Sequence, residues 1–273
     1  MVTIPLVPRF DLAQGGRWTS LAGGGREWLW SRTDPARSTV RPGASFVDAG
    51  GLEECLPTVR GLPDHGDVWS RPWTGSAACS RVSCDDFELS RAVAGEAGAV
   101  VATYRLSADP GYRFVWAAHA LLDLSSRARI VAPDGTVARL YPEAAPLLPG
   151  AWPAGAAYLD SSWPAPHGLE LDQLGVEDGT AVGAVLLCAA ARVVDRADAL
   201  DLRVEAPSDV PVATALWRNL GGFPEGSPYR SIGVEPMLGT VFDLAQAGPD
   251  DAATVPASGE LTWRLVLAAE RME

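Results

Sequence analysis

Short runs in which apolar and polar residues alternate recur from one end of the chain to the other, each bounded by Gly, Pro, Asp or Ser. GRWTSLAG, REWLWSR, AVVATYRLS, YRFVWAAHALLDL, ARIVAPDG, TAVGAVLLCAAARVV, ALDLRVEAP, RSIGVEPML and LTWRLVLAA are such runs. A period of two sends successive side chains to opposite faces of a strand, so this pattern predicts many β-strands at short spacing and an all-β sandwich or barrel. The one helical signal is VFDLAQAG, a turn or two after Pro236. Residues 141–166, YPEAAPLLPGAWPAGAAYLDSSWPAP, are rich in Pro and Ala and predict a long surface connection at the edge of a binding site. Composition does not shift along the chain, and residues 1–273 are expected to form a single domain.

Two of the strands carry chemistry on an otherwise apolar pattern. In YRFVWAAHALLDL, alternation puts Val115, Ala117, His119 and Leu121 on one face and Phe114, Trp116, Ala118, Ala120 and Leu122 on the other. In RSIGVEPML, Ile232, Val234 and Leu238 share one face, and Ser231, Gly233, Glu235 and Met237 the other. Gly233 has no side chain, which leaves Glu235 room to face a cavity; Pro236 lacks an amide hydrogen and implies an irregular position beside the carboxylate. A third candidate is His65, held in VDAGGLEECLPTVRGLPDHGDVWSRPW, where glycines permit unusual torsions and prolines restrict the rest. Taken singly, His119 reads equally as a core histidine, Glu235 as a solvated carboxylate and His65 as part of a surface turn.

The formal net charge of −12 repels polyanions, and the arginines, which supply all the positive charge, form no basic run. Nucleic acid is therefore not expected as a partner, and no apolar stretch is long enough to imply a membrane helix. A cytoplasmic protein is expected, with Cys55, Cys79, Cys84 and Cys188 as unpaired thiols, since their spacing fits neither a disulfide framework nor a zinc site. Most of the ten tryptophans are assigned to the core. Adjacent acidic pairs, Glu53 with Glu54 and Asp85 with Asp86, point to opposite faces of a strand and read as solvated charges, and His167 reads as a surface residue. There is no nucleophile elbow, phosphate loop or paired-histidine metal motif.

Taken in order, GGRWTSLAGGGREWLW, GGLEECLP, DHGDVWSRPW, FVWAAHALL, LWRNLGGFPEGSPYRSIGVEP and GELTWRLVLA resemble the aldose 1-epimerase (galactose mutarotase-like) family over nearly the whole chain. The loop around His65 is also similar to that of the glucose-6-phosphate 1-epimerase branch. The resemblance implies a β-supersandwich, a small-molecule sugar as partner, and no need for a metal or an organic cofactor. By position, it makes Glu235 the general base, His119 the general acid and His65 a second histidine that binds and polarises the sugar. It places Arg71 at a loop arginine of uncertain role, and Trp69 or Trp73 in the pocket wall. Trp116 and Asp160 are further candidates for contact with the sugar. Ala120 stands where relatives often carry proline. A close carboxylate is expected to keep the His119 imidazolium charged beside an ionised Glu235. A hexose-phosphate epimerase, with Arg71, Arg113, Arg218 and Arg230 as phosphate ligands, and a binder without turnover are the alternatives.

Overall fold

The computed structural model describes residues 1–272 and consists of two large antiparallel sheets packed face to face. The ten-stranded sheet runs, edge to edge, through Leu159–Ser162, Val137–Leu140, Ala181–Leu186, Val212–Leu220, Arg230–Leu238, Trp116–Leu122, Leu52–Cys55, Arg17–Gly23 and Val7–Asp11, with Arg26–Glu27 paired to Arg17–Gly23. The nine-stranded sheet is centred on Glu260–Arg271, flanked by Asp198–Glu205 and Ala99–Ala108. Helical structure among the described residues is confined to short 3-10 segments, one of them Leu244–Gln246 inside the predicted VFDLAQAG turn.

Alternation decides which side chains enter the space between the sheets. Along Glu260–Arg271 the inward set is Leu261, Trp263, Leu265, Leu267 and Ala269, all buried. Trp263 meets Tyr104 at 5.5 Å and Trp116 at 5.3 Å between ring centroids, so three wholly buried aromatics from both sheets form the centre of the core. Rings of this size dominate core energetics, each fully buried one stabilising the fold by roughly 1.5–3 kcal/mol.

Several segments depart from the simple pattern. TAVGAVLLCAAARVV is two strands, Ala181–Leu186 and Ala190–Asp195, and the turn between them carries the chain from one sheet to the other. REWLWSR pairs only at Arg26–Glu27 and then through isolated bridges at Leu29 and Ser31. Residues 141–166 are partly ordered into the 3-10 segment Pro142–Leu147 and the edge strand Leu159–Ser162. The largest correction concerns Glu53 and Glu54, which are 1% and 0% exposed instead of solvated. They do point to opposite faces: Glu53 pairs with Arg37 on the outer side, and Glu54 accepts from Arg91, Tyr104 and Trp18 between the sheets.

Candidate active site

The site is built on the outer face of the ten-stranded sheet. Every residue of Trp116–Leu122 is buried, yet the two faces are different: Trp116, Ala118, Ala120 and Leu122 join the core between the sheets, while Ala117 joins a second apolar cluster outside it. His119 and Leu121 share the face of Ala117 and line a cavity. On the neighbouring strand, Ala117 pairs with Met237 and Leu121 with Gly233, which sets His119 abreast of Glu235. Nε2 of His119 stands 3.8 Å from Oε1 of Glu235. Gly233 makes that carboxylate position available, because a Cβ there would lie 2.2 Å from Oε1 of Glu235.

His65 arrives from a loop. Its φ of 58° is in the left-handed region, which histidine enters more readily than most residues. The conformation is tied down on both sides: the His65 amide donates to the Val59 carbonyl at 3.1 Å, and Asp67 to Leu56 at 2.7 Å. Gly66 follows where any Cβ would lie 2.1 Å from the Leu56 carbonyl oxygen. Nδ1 of His65 is 2.9 Å from the Asp64 carboxylate, which fixes the ring by that contact. The ring lies flat on Phe46, with centroids 3.6 Å apart, and meets His119 edge-on at 5.1 Å. Trp69 supports this wall from behind, edge against Phe46 at 4.9 Å and donating to the Asp64 carbonyl at 3.1 Å.

The three groups border a cavity of about 310 Å³, near the lower end of the range for small-molecule sites. Phe46, Trp217 and Tyr229 supply aromatic faces to it. Asp48, Asp64 and Glu143 add carboxylates, and Arg60 adds one guanidinium. Arg60 is paired with Glu143 at 2.7 Å and packs over Phe242. The Tyr229 hydroxyl donates to Asp48.

Burial decides the protonation of the central pair. It raises the Glu235 carboxyl above its ordinary value, against the opposing charge of His119. It also lowers His119, although the charge of Glu235 pulls the other way. The nearby carboxylate therefore does not lift the imidazolium above its ordinary value, contrary to expectation. Desolvation of two nearly inaccessible groups outweighs an attraction across 3.8 Å, and the two titrations are driven toward each other.

Of the residues nominated from sequence, Glu235, His119 and His65 come together. Trp69 backs the cavity without lining it. Trp73 is buried with its indole against Gly16 and donating to the Val68 carbonyl, and Trp116 is in the core between the sheets because it takes the opposite parity to His119. Arg71 is held by Asp67 and Asp85 at 3.7 and 3.6 Å, away from the cavity. Asp160 lies on the edge strand, 3.5 Å from Arg139, and His167 is an exposed left-handed residue. Phe46, Asp48, Arg60, Glu143, Trp217 and Tyr229 are among the lining groups that sequence reasoning missed. Only Arg60 carried a local signal, five positions before His65 in the same Gly- and Pro-bounded loop.

The same architecture occurs in solved structures. A candidate aldose 1-epimerase from Escherichia coli K12 superposes over 100% of both chains with a TM-score of 0.67 at 16% identity. A galactose mutarotase-like protein from Lactobacillus casei matches over 99% of this chain and 100% of its own, with a TM-score of 0.63 at 16% identity. A galactose mutarotase related enzyme from Lactobacillus acidophilus matches over 100% of this chain and 98% of its own, with a TM-score of 0.63 at 11% identity. The fold is thus the galactose mutarotase-like sandwich. In sequence, the chain matches no family model and no curated protein.

Proposed function

We propose that the protein is an aldose 1-epimerase that interconverts the α and β anomers of a free sugar. The observation that carries this reading is the meeting of Glu235, His119 and His65 in one cavity of about 310 Å³. A mutarotase has to take a proton from one oxygen of the sugar and give a proton to another. Glu235, ionised, takes the proton of the anomeric hydroxyl. As the C1–O1 bond becomes a carbonyl the C1–O5 bond breaks, and O5 takes a proton from His119. Rotation about C1–C2 turns the other face of the aldehyde to O5, and the same two transfers run in reverse. Each such group contributes typically 10² to 10⁴-fold. His65 hydrogen-bonds a sugar hydroxyl through Nε2, and the aromatic rings of the wall stack on the C–H face of the ring.

An unphosphorylated sugar fits the lining better than a sugar phosphate. Asp48, Asp64, Glu143 and Glu235 face the cavity against the single guanidinium of Arg60, which Glu143 already engages. Arg71, Arg113, Arg218 and Arg230 do not line it; Arg113 donates to the Gly248 carbonyl, Arg218 to Leu174 and Arg230 to Gly175. Four free thiols support action in the reducing cytoplasm.

The test is anomer exchange, by polarimetry or saturation-exchange NMR, on fresh α-D-glucose and α-D-galactose with the wild type, Glu235→Gln and His119→Ala. Acceleration by the wild type that both variants lose supports the reading. Sugar binding without acceleration marks a binder, and acceleration confined to glucose 6-phosphate marks the phosphate enzyme.

A further inference from the structure

A buried ion pair stands behind the site, and none of the proton transfers uses it. Glu53 is the register partner of His119 on the neighbouring strand, so its side chain leaves the sheet on the same face. The carboxylate meets Arg37 at 2.7 Å, with both side chains almost wholly buried. Arg37 comes from the 3-10 segment Pro35–Thr39. Its guanidinium also donates to the carbonyls of Gln14 at 3.0 Å, Val47 at 3.3 Å and Trp69 at 3.3 Å, and covers the Trp69 indole at 5.0 Å. Val47 lies between the cavity residues Phe46 and Asp48, and Trp69 donates in turn to the carbonyl of Asp64, next to His65. One cation thus ties the strand opposite His119 to both segments that build the Phe46–His65 wall.

Stability alone does not account for such a pair, because buried ion pairs are often replaced by apolar side chains at little or no loss. We propose that Arg37 and Glu53 are positioning residues, whose ion pair holds the Phe46–His65 wall at its distance from His119 and so sets the reach of His65 toward the sugar. The catalytic consequence rests on the epimerase reading above; the geometric one does not. The charged groups around Glu53 are Arg37, Arg17 and Asp48, with His119 across the register. Burial pushes the Glu53 carboxyl up and Arg37 pulls it only part of the way back, leaving it at about 7. The wall is therefore held by a group that ionises near neutrality.

The test compares the wild type with Glu53→Gln and with the double variant Arg37→Met, Glu53→Met, which removes both charges together. Two readouts are taken: the upfield ring-current shift that Phe46 imposes on the His65 ring protons, and kcat and KM for anomer exchange. The expected result is a folded double variant that has lost the His65 shift and about 10²-fold in kcat/KM, the loss typical of a misplacement near 1 Å. Arg37→Lys, which keeps the charge but not the planar fork, is expected to recover part of both. A folded double variant that keeps the His65 shift and the wild-type kcat/KM would overturn the proposal. If the double variant does not fold, the same two readouts on Glu53→Gln decide. Should the wild type prove inactive on every sugar, the epimerase reading falls, and the His65 shift still decides the positioning.

Discussion

Oε1 of Glu235 and Nε2 of His119 are 3.8 Å apart, farther than a hydrogen bond, on adjacent strands that hold them abreast. Two groups in direct contact would exchange a proton with each other. At this separation each can instead address a different oxygen of a sugar lying against both.

On the proposed epimerase reading, the pH dependence of anomer exchange follows from this pair. Glu235 must be ionised, and burial raises it from its ordinary 4.5; His119 must be protonated, and burial lowers it from its ordinary 6.5. The acid limb of kcat/KM is expected above 4.5 and the alkaline limb below 6.5, a narrow bell with a mildly acidic optimum. A rate profile flat from pH 5 to 8 would sink the assignment.

Gly233→Ala tests how tightly the carboxylate is held. The new Cβ would fall 2.2 Å from Oε1 of Glu235, and the side chain has to swing away. Activity is expected to fall about 10²-fold, while the overpacking costs about 1–3 kcal/mol. Paired measurement of exchange rate and urea midpoint separates the two; full activity in the variant would show that Glu235 does not need its present position.

Glu53 gives a stability signature with a definite sign. A carboxyl at about 7 in the fold and 4.5 outside it binds its proton more tightly when folded. Its contribution is complete below 4.5 and is lost as the pH rises through 7, a change of roughly 3 kcal/mol. Chemical denaturation of wild type and Glu53→Gln from pH 4 to 8 should show this decline in the wild type and its absence in the variant.

Glu54 and Arg91 meet at 2.6 Å with no exposure of either side chain. Glu54→Ala leaves the guanidinium uncompensated among Phe10, Trp18 and Trp73 and is expected to cost about 3–5 kcal/mol. Removing both charges, as Glu54→Met with Arg91→Met, should cost much less. Urea denaturation reads both, and equal losses would mean that the effect is one of volume and not of charge.

Period-two alternation marked many of the strands, though not Leu52–Cys55, Phe87–Glu96 or Val212–Leu220, and it put His119 and Glu235 on the faces they occupy, because a strand buried on both sides still divides its residues by parity. The Gly233 gap beside Glu235 was legible for the same reason. Phe46, Asp48 and Tyr229 were not, since they converge through segments whose paths alternation does not encode. Glu53 and Glu54 misled because two adjacent acids look solvated until their partners are known. Those partners, Arg37 and Arg91, are 16 residues before and 37 residues after them. The family resemblance suggests Trp69 or Trp73 for the pocket wall, with Trp116 a further candidate for sugar contact, whereas the packing of all three follows parity and loop path.

The two buried acids on Leu52–Cys55 commit each face of that strand to a guanidinium, Glu53 to Arg37 and Glu54 to Arg91. A slip of one residue against Trp116–Leu122 would exchange the two carboxylates between the faces, Glu53 toward Arg91 and Glu54 toward Arg37. With only Leu52, Glu53, Glu54 and Cys55 in the strand, apolar pattern offers little to forbid that slip. A guanidinium waits on either face, so charge does not forbid it either: what the two acids secure is that the strand is buried with both of its faces paired, Glu53 standing across the ladder from His119.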